Sequence, residues 1–173
     1  MKSNNEHIRL LTLTGMLTAL TTVATIVIQI PTPTKGYVNL GDTIVNISGW
    51  LLGGFYGGMA GGIGSALADI ITGYAIYAPA TLIIKFFMAF ACFKVFNACQ
   101  KKFSTIPSRI ISAVVSEIIM IAGYDIFTGF MYSSVQSAIF AIPEFAIQGI
   151  MGATFSVLLY ECILKRVPAL KHK

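Results

Sequence analysis

The fold of this chain is decided by residues 36–85, which read GYVNLGDTIVNISGWLLGGFYGGMAGGIGSALADIITGYAIYAPATLIIK. Apolar residues and glycine dominate the stretch, yet it also carries the strongly polar or charged side chains of Asn39, Asp42, Asp69 and Lys85. Ionisable groups are costly inside a bilayer and normally face a partner, a cavity or a ligand path. The stretch therefore predicts a membrane protein that contains a polar site.

The composition of the whole chain also predicts a membrane protein. Hydrophobic residues make up 55% and charged residues 11%, and the mean hydropathy of +0.78 is far from the balance of soluble proteins. A spanning helix takes roughly 20 residues, so six spans would use nearly all of the chain. We therefore expect residues 1–173 to form a single transmembrane domain, whose substrate-binding role is implied only by the family resemblance given below. The apolar run at 8–30 exceeds the roughly 7–15 residues of a signal-peptide core, so we expect it to remain as a helix.

Apolar runs broken by proline, glycine and charge predict an all-α integral membrane protein with six transmembrane helices. The link between the second and third helices is rich in glycine, which is compatible with a tight helical hairpin or with one kinked helix. The six helices are expected near residues 8–30, 43–57, 59–76, 79–99, 109–130 and 140–164.

Basic residues predict the orientation of these helices. They cluster before the first helix, between the fourth and fifth, and after the sixth, so an even number of spans places all three clusters on one side. The positive-inside rule makes that side cytoplasmic, with both termini in the cytoplasm and a multi-pass protein in the cell membrane. The net charge of +5 then follows from topology, and no nucleic-acid partner is expected. The residues concerned are Lys2, Arg9, Lys101, Lys102, Arg109, Lys165, Arg166, Lys171 and Lys173.

Five ionisable residues fall on the outer side in this topology, namely Asp42, Asp69, Lys85, Asp125 and Glu144. They either line a pocket that opens outward or lie close to water at the membrane interface. Asp69 and Lys85 are each about eight residues from the turn near Tyr77, which puts them at similar depth, roughly 12 Å along their helices. At that depth they form a structural ion pair or contact a ligand.

Tyrosines and amides are also expected on the outer side. Each tyrosine by itself is explained by an aromatic belt at the membrane interface. Together with the carboxylates, however, the tyrosines would also suit a binding site for a small planar ligand. Glu144 and Gln148 are four residues apart and so share one helix face. The remaining members of the group are Tyr37, Tyr74, Tyr77, Tyr124, Tyr132, Asn39 and Asn46.

Glycine recurs at every fourth position at Gly49, Gly53, Gly57 and Gly61, a spacing that lets helices approach closely in lipid. We expect this ladder to serve packing inside the bundle. The first helix has a sparser version, Gly15 and Ala19, which is a candidate surface for another membrane subunit.

Several kinds of chemistry are not indicated by the sequence. It has no GxxxxGK[ST] phosphate loop, no HExxH motif and no nucleophile elbow. Its three cysteines form no CxxC pair, and both histidines lie in the terminal tails, so no metal site, catalytic residue or cofactor is predicted. Any ATP that drives transport would be bound by other chains.

Residues 35–85, with the elements GYVNLGD, the glycine-rich helix pair, ADIITGY and YAPATLIIK, resemble the S components of energy-coupling factor (ECF) vitamin transporters. The resemblance is to a branch that includes carriers of pyridoxine, hydroxymethylpyrimidine, riboflavin and pantothenate. It implies a high-affinity vitamin-binding subunit without enzymatic activity, which partners a transmembrane scaffold subunit and two ATPases. Pyridoxine-like or hydroxymethylpyrimidine ligands are expected first, with riboflavin or pantothenate as the alternatives. A self-contained channel or facilitator is the competing function.

The resemblance also implies roles for individual residues. Gly15 and Ala19 occupy the place of the family's Ala-x-x-x-Ala motif and would face the scaffold. Glu144 stands where many relatives carry asparagine. The residues implied in vitamin binding are Tyr37, Asn39, Asp42, Tyr77, Lys85, Tyr124, Glu144 and Gln148.

Overall fold

The computed structural model describes residues 4–31, 37–131 and 135–166. These residues form six α-helices, two short strands and a final 3₁₀ turn. The helices are α1 (Asn4–Val27), α2 (Gly41–Leu52), α3 (Gly54–Ile71), α4 (Ala78–Cys99), α5 (Thr105–Met131) and α6 (Val135–Cys162), the strands are β1 (Gln29–Pro31) and β2 (Tyr37–Asn39), and the turn is Leu164–Arg166.

The glycine-rich link forms a tight hairpin between α2 and α3. Gly53 separates them with a φ of +84°, a left-handed conformation that glycine adopts without the steric cost of a side chain. The boundary therefore falls about five residues earlier than the expected helices at 43–57 and 59–76. Of the two alternatives left open by the sequence, the hairpin is the one observed.

Within the described residues, four helices are long and apolar enough to cross a membrane by length and composition, with apolar segments at Glu6–Val27, Ala78–Cys99, Thr105–Met131 and Ala141–Arg166. The structure thus supports a helical membrane protein. Helix α2 has 12 residues, or about 18 Å, and every one of them is buried. It lies at the centre of the bundle and packs against α1, α3, α4 and α6.

The expected internal role of the glycine ladder is confirmed by close contacts of the α3 backbone. A Cβ atom on Gly57 would lie 2.5 Å from the carbonyl oxygen of Ser48 in α2, and one on Gly62 would lie 2.7 Å from the carbonyl oxygen of Leu82 in α4. One on Gly64 would meet α1 at a similar distance. Glycine at these positions lets α3 pack directly on three neighbouring helices.

The fold is helical as expected, and a short strand pair is added to the helices in the described residues. The apolar run predicted as helix through residue 30 leaves the helix after Val27, and Gln29–Pro31 pairs antiparallel with Tyr37–Asn39. Gln29 Nε2 also donates to Thr72 Oγ1 at the end of α3, at 3.3 Å. The pairing fixes Tyr37 and Asn39 over the end of the bundle where α2 begins.

The opposite end of the bundle contains the buried Arg109, which the sequence analysis counted with the basic residues between the fourth and fifth helices. Arg109 lies in the first turns of α5 and is 7% exposed. Its guanidinium carbon lies 3.5 Å from the ring centroid of Tyr160 and 5.3 Å from that of Trp50. Arg109 Nε donates to Glu161 Oε1 at 2.9 Å. Arginine tolerates such a site because its planar group stacks on rings while remaining paired.

Candidate functional site

A cavity opens at the end of the bundle capped by the strand pair. The cavity proper has a volume of about 40 Å³, and the whole depression, counted together with the open space at its mouth, about 520 Å³. Helices α1, α3, α4, α5 and α6 and strand β2 all contribute to its wall. The lining residues are Thr25, Tyr37, Asn39, Ser65, Asp69, Tyr74, Tyr77, Thr81, Lys85, Tyr124, Thr128, Phe145 and Gln148.

An ion pair holds the lysine of this cavity in place. Lys85 Nζ pairs with Asp42 Oδ1, and the two side chains are 2% and 0% exposed. Lys85 reaches the cavity wall, whereas Asp42 lies behind it in the first turn of α2. Of the two alternatives for Asp69 and Lys85, an ion pair between them is not observed in the described residues, because Lys85 pairs with Asp42 instead. Similar positions along two helices do not determine which neighbouring helix a side chain faces.

Gln148 connects the ion pair to the strand pair. Its Nε2 atom donates to Asp42 Oδ2 at 2.6 Å, and its Oε1 atom accepts from the backbone nitrogen of Asn39 at 3.2 Å. The side-chain amide of Asn39 donates to the same oxygen, and its own Oδ1 accepts from the backbone nitrogen of Gly41 at 2.8 Å. The result is a hydrogen-bonded chain through β2, α6, α2 and α4, which fixes Lys85 relative to the cavity.

The second carboxylate of the cavity, Asp69, belongs to a separate group. Tyr37 donates its hydroxyl hydrogen to Asp69 Oδ1. Burial, and then the nearby Asp69, raise the pKa of Tyr37 above its ordinary value, so the phenol keeps its proton and remains a donor. The ring of Tyr37 also lies 4.8 Å from that of Tyr74, centroid to centroid. Asp69 is thus held by the strand pair rather than by Lys85.

Aromatic rings form the remaining wall. Tyr124 and Phe145 stack with centroids 5.4 Å apart, and Lys85 Nζ lies 5.2 Å from the Tyr124 centroid. Tyr124 also donates to Thr81 Oγ1 at 3.0 Å. A flat ligand could therefore lie among aromatic faces while polar groups meet its edge.

Three polar atoms of the wall are buried and make no hydrogen bond within the described residues. They are Thr25 Oγ1, Ser65 Oγ and Asp69 Oδ2, from α1 and α3. Buried polar atoms in folded proteins nearly always have a partner, and leaving one unsatisfied costs about 1–3 kcal/mol. A polar ligand in this cavity would supply partners to all three.

Most of the residues predicted for the site are brought together by the fold. Tyr37, Asn39, Tyr77, Lys85, Tyr124 and Gln148 line the cavity, and Asp42 supports it from behind. Glu144 and Asp125 are half-buried and are not among the lining residues. Tyr132 falls outside the described residues. Asn46 lies deeper in α2, where its side chain contacts Glu117 of α5 and not the cavity.

Glu117 is the buried acidic residue that the sequence analysis missed. It lies in the middle of α5, is 3% exposed, and accepts a hydrogen bond from Asn46 Nδ2 at 2.8 Å. A Cβ atom on Gly152 would touch both Glu117 Oε1 and Asp42 Cβ, so the two acidic residues are close neighbours. A lone carboxylate in the middle of an apolar helix was the signal that could have found it.

The predicted docking residues lie on the outside of the bundle. Gly15 and Ala19 are both exposed on α1, and a Cβ atom added to Gly15 would meet nothing within 4 Å. Two turns further along α1, Thr22 Oγ1 donates to the carbonyl oxygen of Gly64 in α3 at 2.8 Å. Gly15 and Ala19 are thus free of contacts that would block a partner helix, while their docking role stays a prediction.

A helical membrane protein with a cavity lined by tyrosines and polar side chains at one end of the bundle is the class that this fold and site define. A comparison with known protein families identifies one family within that class. A family model described as "ECF-type riboflavin transporter, S component" matches residues 5–165, and the chain belongs to this family. ECF S components are membrane subunits of vitamin transporters, not enzymes, and they work with a T scaffold and ATPases.

One curated relative extends the comparison. An uncharacterised protein of the gap 3′ region of Pyrococcus woesei is 49% identical over 65 residues, which cover 37% of this chain and 43% of that protein. The chain thus matches under half the length of this relative, and its similarity assigns no ligand.

Proposed function

We infer that this chain captures a B vitamin or vitamin precursor with high affinity in the cavity beside Lys85 and delivers it inward with a scaffold subunit and two ATPases. The observation that carries the proposal is that the buried polar atoms of Thr25, Ser65 and Asp69 lack hydrogen-bond partners in the described residues and line a cavity that also carries four tyrosines and a phenylalanine. A ligand with hydroxyl groups and ring nitrogens would satisfy these atoms. The family membership supports the same conclusion from an independent direction.

The ion pair gives the cavity a defined donor. A lysine ammonium carries three N–H donors, and Asp42 accepts one of them. Because Asp42 lies behind the wall, the remaining hydrogens can point to a ligand oxygen or ring nitrogen. Asp69, on the other side, can accept from a ligand hydroxyl. A donor on α4 and an acceptor on α3 would fix the orientation of a flat ring that contacts both.

A hydroxymethylated pyridine or pyrimidine is the preferred ligand. Such a ring is small enough to lie between the Tyr124–Phe145 stack and the tyrosines of the opposite wall, and its hydroxymethyl groups match the hydroxyl and carboxylate groups described above. Riboflavin is the second candidate, favoured by the description of the matching family model. Pantothenate has no aromatic ring and could not stack on the aromatic side chains of the cavity, so it is the least favoured of these ligands.

The proposed topology has six membrane spans, with both termini and the Arg109 end on the cytoplasmic side of the cell membrane. The cavity then opens outward. Gly15 and Ala19 would contact the scaffold, and the whole chain would act as one transmembrane domain. The short α2 fits this arrangement as a central helix enclosed by the others, since it is too short to cross a hydrocarbon core of about 30 Å unassisted.

The experiment is a binding titration of the purified chain with pyridoxine, hydroxymethylpyrimidine, riboflavin and pantothenate. Thr25→Val and Ser65→Ala should each weaken binding of the correct vitamin by roughly two- to tenfold, the loss expected for one hydrogen bond. Neither should destabilise the ligand-free protein, because each removes a polar atom that has no partner there.

Thr43→Val provides a matched control, since Thr43 Oγ1 is equally buried and unpartnered but lies outside this cavity. It should leave vitamin affinity unchanged. If no vitamin binds, or if Thr43→Val weakens binding as much as Thr25→Val does, the cavity is not the binding site. Vitamin flux through liposomes that contain this chain alone would instead support a self-contained facilitator.

A further inference from the structure

A carboxyl group and an amide are buried together between α5 and α2, outside the wall of the cavity beside Lys85. Asn46 Nδ2 donates to Glu117 Oε1 at 2.8 Å. The other oxygen of each side chain, Asn46 Oδ1 and Glu117 Oε2, is also buried and makes no hydrogen bond within the described residues. Both atoms are acceptors while the carboxyl group is ionised, so neither can satisfy the other. A single hydrogen between them would satisfy both.

The charges buried at this level of the bundle do not balance. A Cβ atom on Gly152 would lie 2.6 Å from Glu117 Oε1 and 2.7 Å from Asp42 Cβ, so the two acidic residues are neighbours. In the described part of the chain, Lys85 is the cation that acts on both of them. Two ionised carboxylates would leave the group with one surplus negative charge. A buried charge without a counter-ion is costly, and such a group normally becomes neutral instead.

The other side chains described around Glu117 bring no second cation. Helix α6 packs against it closely, since a Cβ atom on Gly149 would lie 3.2 Å from Glu117 Cβ. From α4, Cys92 acts on Glu117, but a cysteine carries no positive charge in either protonation state. Arg109, two turns earlier on α5, pairs with Glu161 at the end of the bundle. Packing this close favours a proton, the smallest cation, over a metal ion.

We propose that Glu117 is a proton-binding site, which takes up a proton from solvent on Oε2 and donates it to Asn46 Oδ1. The acid and the amide then form a closed ring of two hydrogen bonds, in which each group donates once and accepts once. The proton also removes the surplus negative charge, so Asp42 is left as the counter-ion of Lys85. Loss of the proton creates a second anion beside Asp42, and this anion competes for Lys85.

Infrared spectroscopy of the full chain in detergent micelles, without ligand, detects this proton directly. At neutral pH the wild type should show a C=O stretching band of a protonated carboxyl group that shifts in heavy water. Glu117→Gln should lack this band. The glutamine amide can donate to Asn46 Oδ1 in place of the acid, so this variant should unfold at the same denaturant midpoint as the wild type at neutral pH.

Glu161→Gln is the matched control on the neighbouring helix. Glu161 accepts from Arg109 and from Lys165 and therefore stays ionised, so its replacement should leave the band in place. Isotopic labelling of the glutamate carboxyl carbons should move the band in the wild type, which tests the assignment without any substitution. A wild type without the band, or a band that labelling does not move or that Glu117→Gln retains, would overturn the proposal.

The same proton links vitamin binding to pH, a consequence that rests on the proposed function. At alkaline pH the ionised Glu117 draws Lys85 away from the cavity, so the wild type should bind its vitamin about tenfold more weakly, the loss expected for one hydrogen bond to a charged group. Glu117→Gln cannot ionise and should lose less affinity over the same range. Equal pH profiles of the two proteins would refute this link. Absence of vitamin binding at every pH would refute the proposed function instead, and the infrared band, measured without ligand, separates the two failures.

Discussion

The pairing of Lys85 with Asp42 makes a quantitative prediction about stability. Both side chains are almost fully buried, so Asp42→Asn or Lys85→Met leaves one charge in the core without its counter-ion. Breaking a buried ion pair from one side costs about 3–5 kcal/mol. Independent effects would sum to about 6–10 kcal/mol in the double variant. Because the double variant removes both charges, we expect its cost to fall short of that sum by about 2–3 kcal/mol.

The assay is reversible unfolding of the four proteins of this cycle in mixed micelles, followed by helix content. A second cycle with Asp69→Asn and Lys85→Met is the control, because Asp69 makes its contact with Tyr37 instead. Its coupling energy should be well below that of the first cycle. Additive effects in the Asp42 cycle, or a larger coupling in the Asp69 cycle, would refute the arrangement described here.

Three further substitutions test other parts of the structure. Tyr37→Phe removes the donor to Asp69 and should weaken vitamin binding about tenfold at most, measured by titration. Gly62→Ala should lower the free energy of unfolding by about 1–3 kcal/mol through a backbone clash, whereas Gly15→Ala, with open space around it, should not. Arg109→Lys keeps the charge but loses ring stacking, so thermal unfolding should shift down by an amount equivalent to about 1–2 kcal/mol; an unchanged midpoint would contradict that role.

Docking by α1 is tested through transport. Ala19→Leu should abolish uptake in cells that contain the scaffold and ATPases, because a bulky side chain would hold the two helices apart. Vitamin affinity of the isolated chain should stay the same, since Ala19 is exposed and remote from the cavity. If the Ala19→Leu variant still supports uptake, this face of α1 does not dock on the scaffold.

The helices were predictable because hydropathy alone marks long apolar segments. Each of the six expected segments overlaps an observed helix. The strand pair was not predictable in this way, since Gln29–Pro31 continues an apolar run and its partner is separated from it by residues outside the described range. The α2–α3 boundary was misplaced because several glycines were equally suitable in sequence, and among the described glycines of this link it is Gly53 that has the positive φ.

The candidate site was predictable in membership but not in pairing. Charged residues in apolar segments must converge, so Asp42, Asp69 and Lys85 were expected near one another. Which carboxylate meets Lys85 depends on the rotation of α4 about its axis, and spacing along the chain does not report this. The hydrogen bond from Gln148 to Asp42 joins residues more than a hundred positions apart, so spacing along the chain does not predict it either.

The central claim is that the cavity beside Lys85 holds a B vitamin. Its most direct test is mass spectrometry of small molecules released on denaturing the full chain, purified from membranes without added ligand. We expect wild type to release about one equivalent, per protein molecule, of a vitamin or precursor with a flat ring. Lys85→Met should release much less of it. The control Ile118→Ala, on the outer face of α5, should release as much as wild type. A vitamin-free wild type that also binds none of the four candidates, or full retention by Lys85→Met, would contradict it.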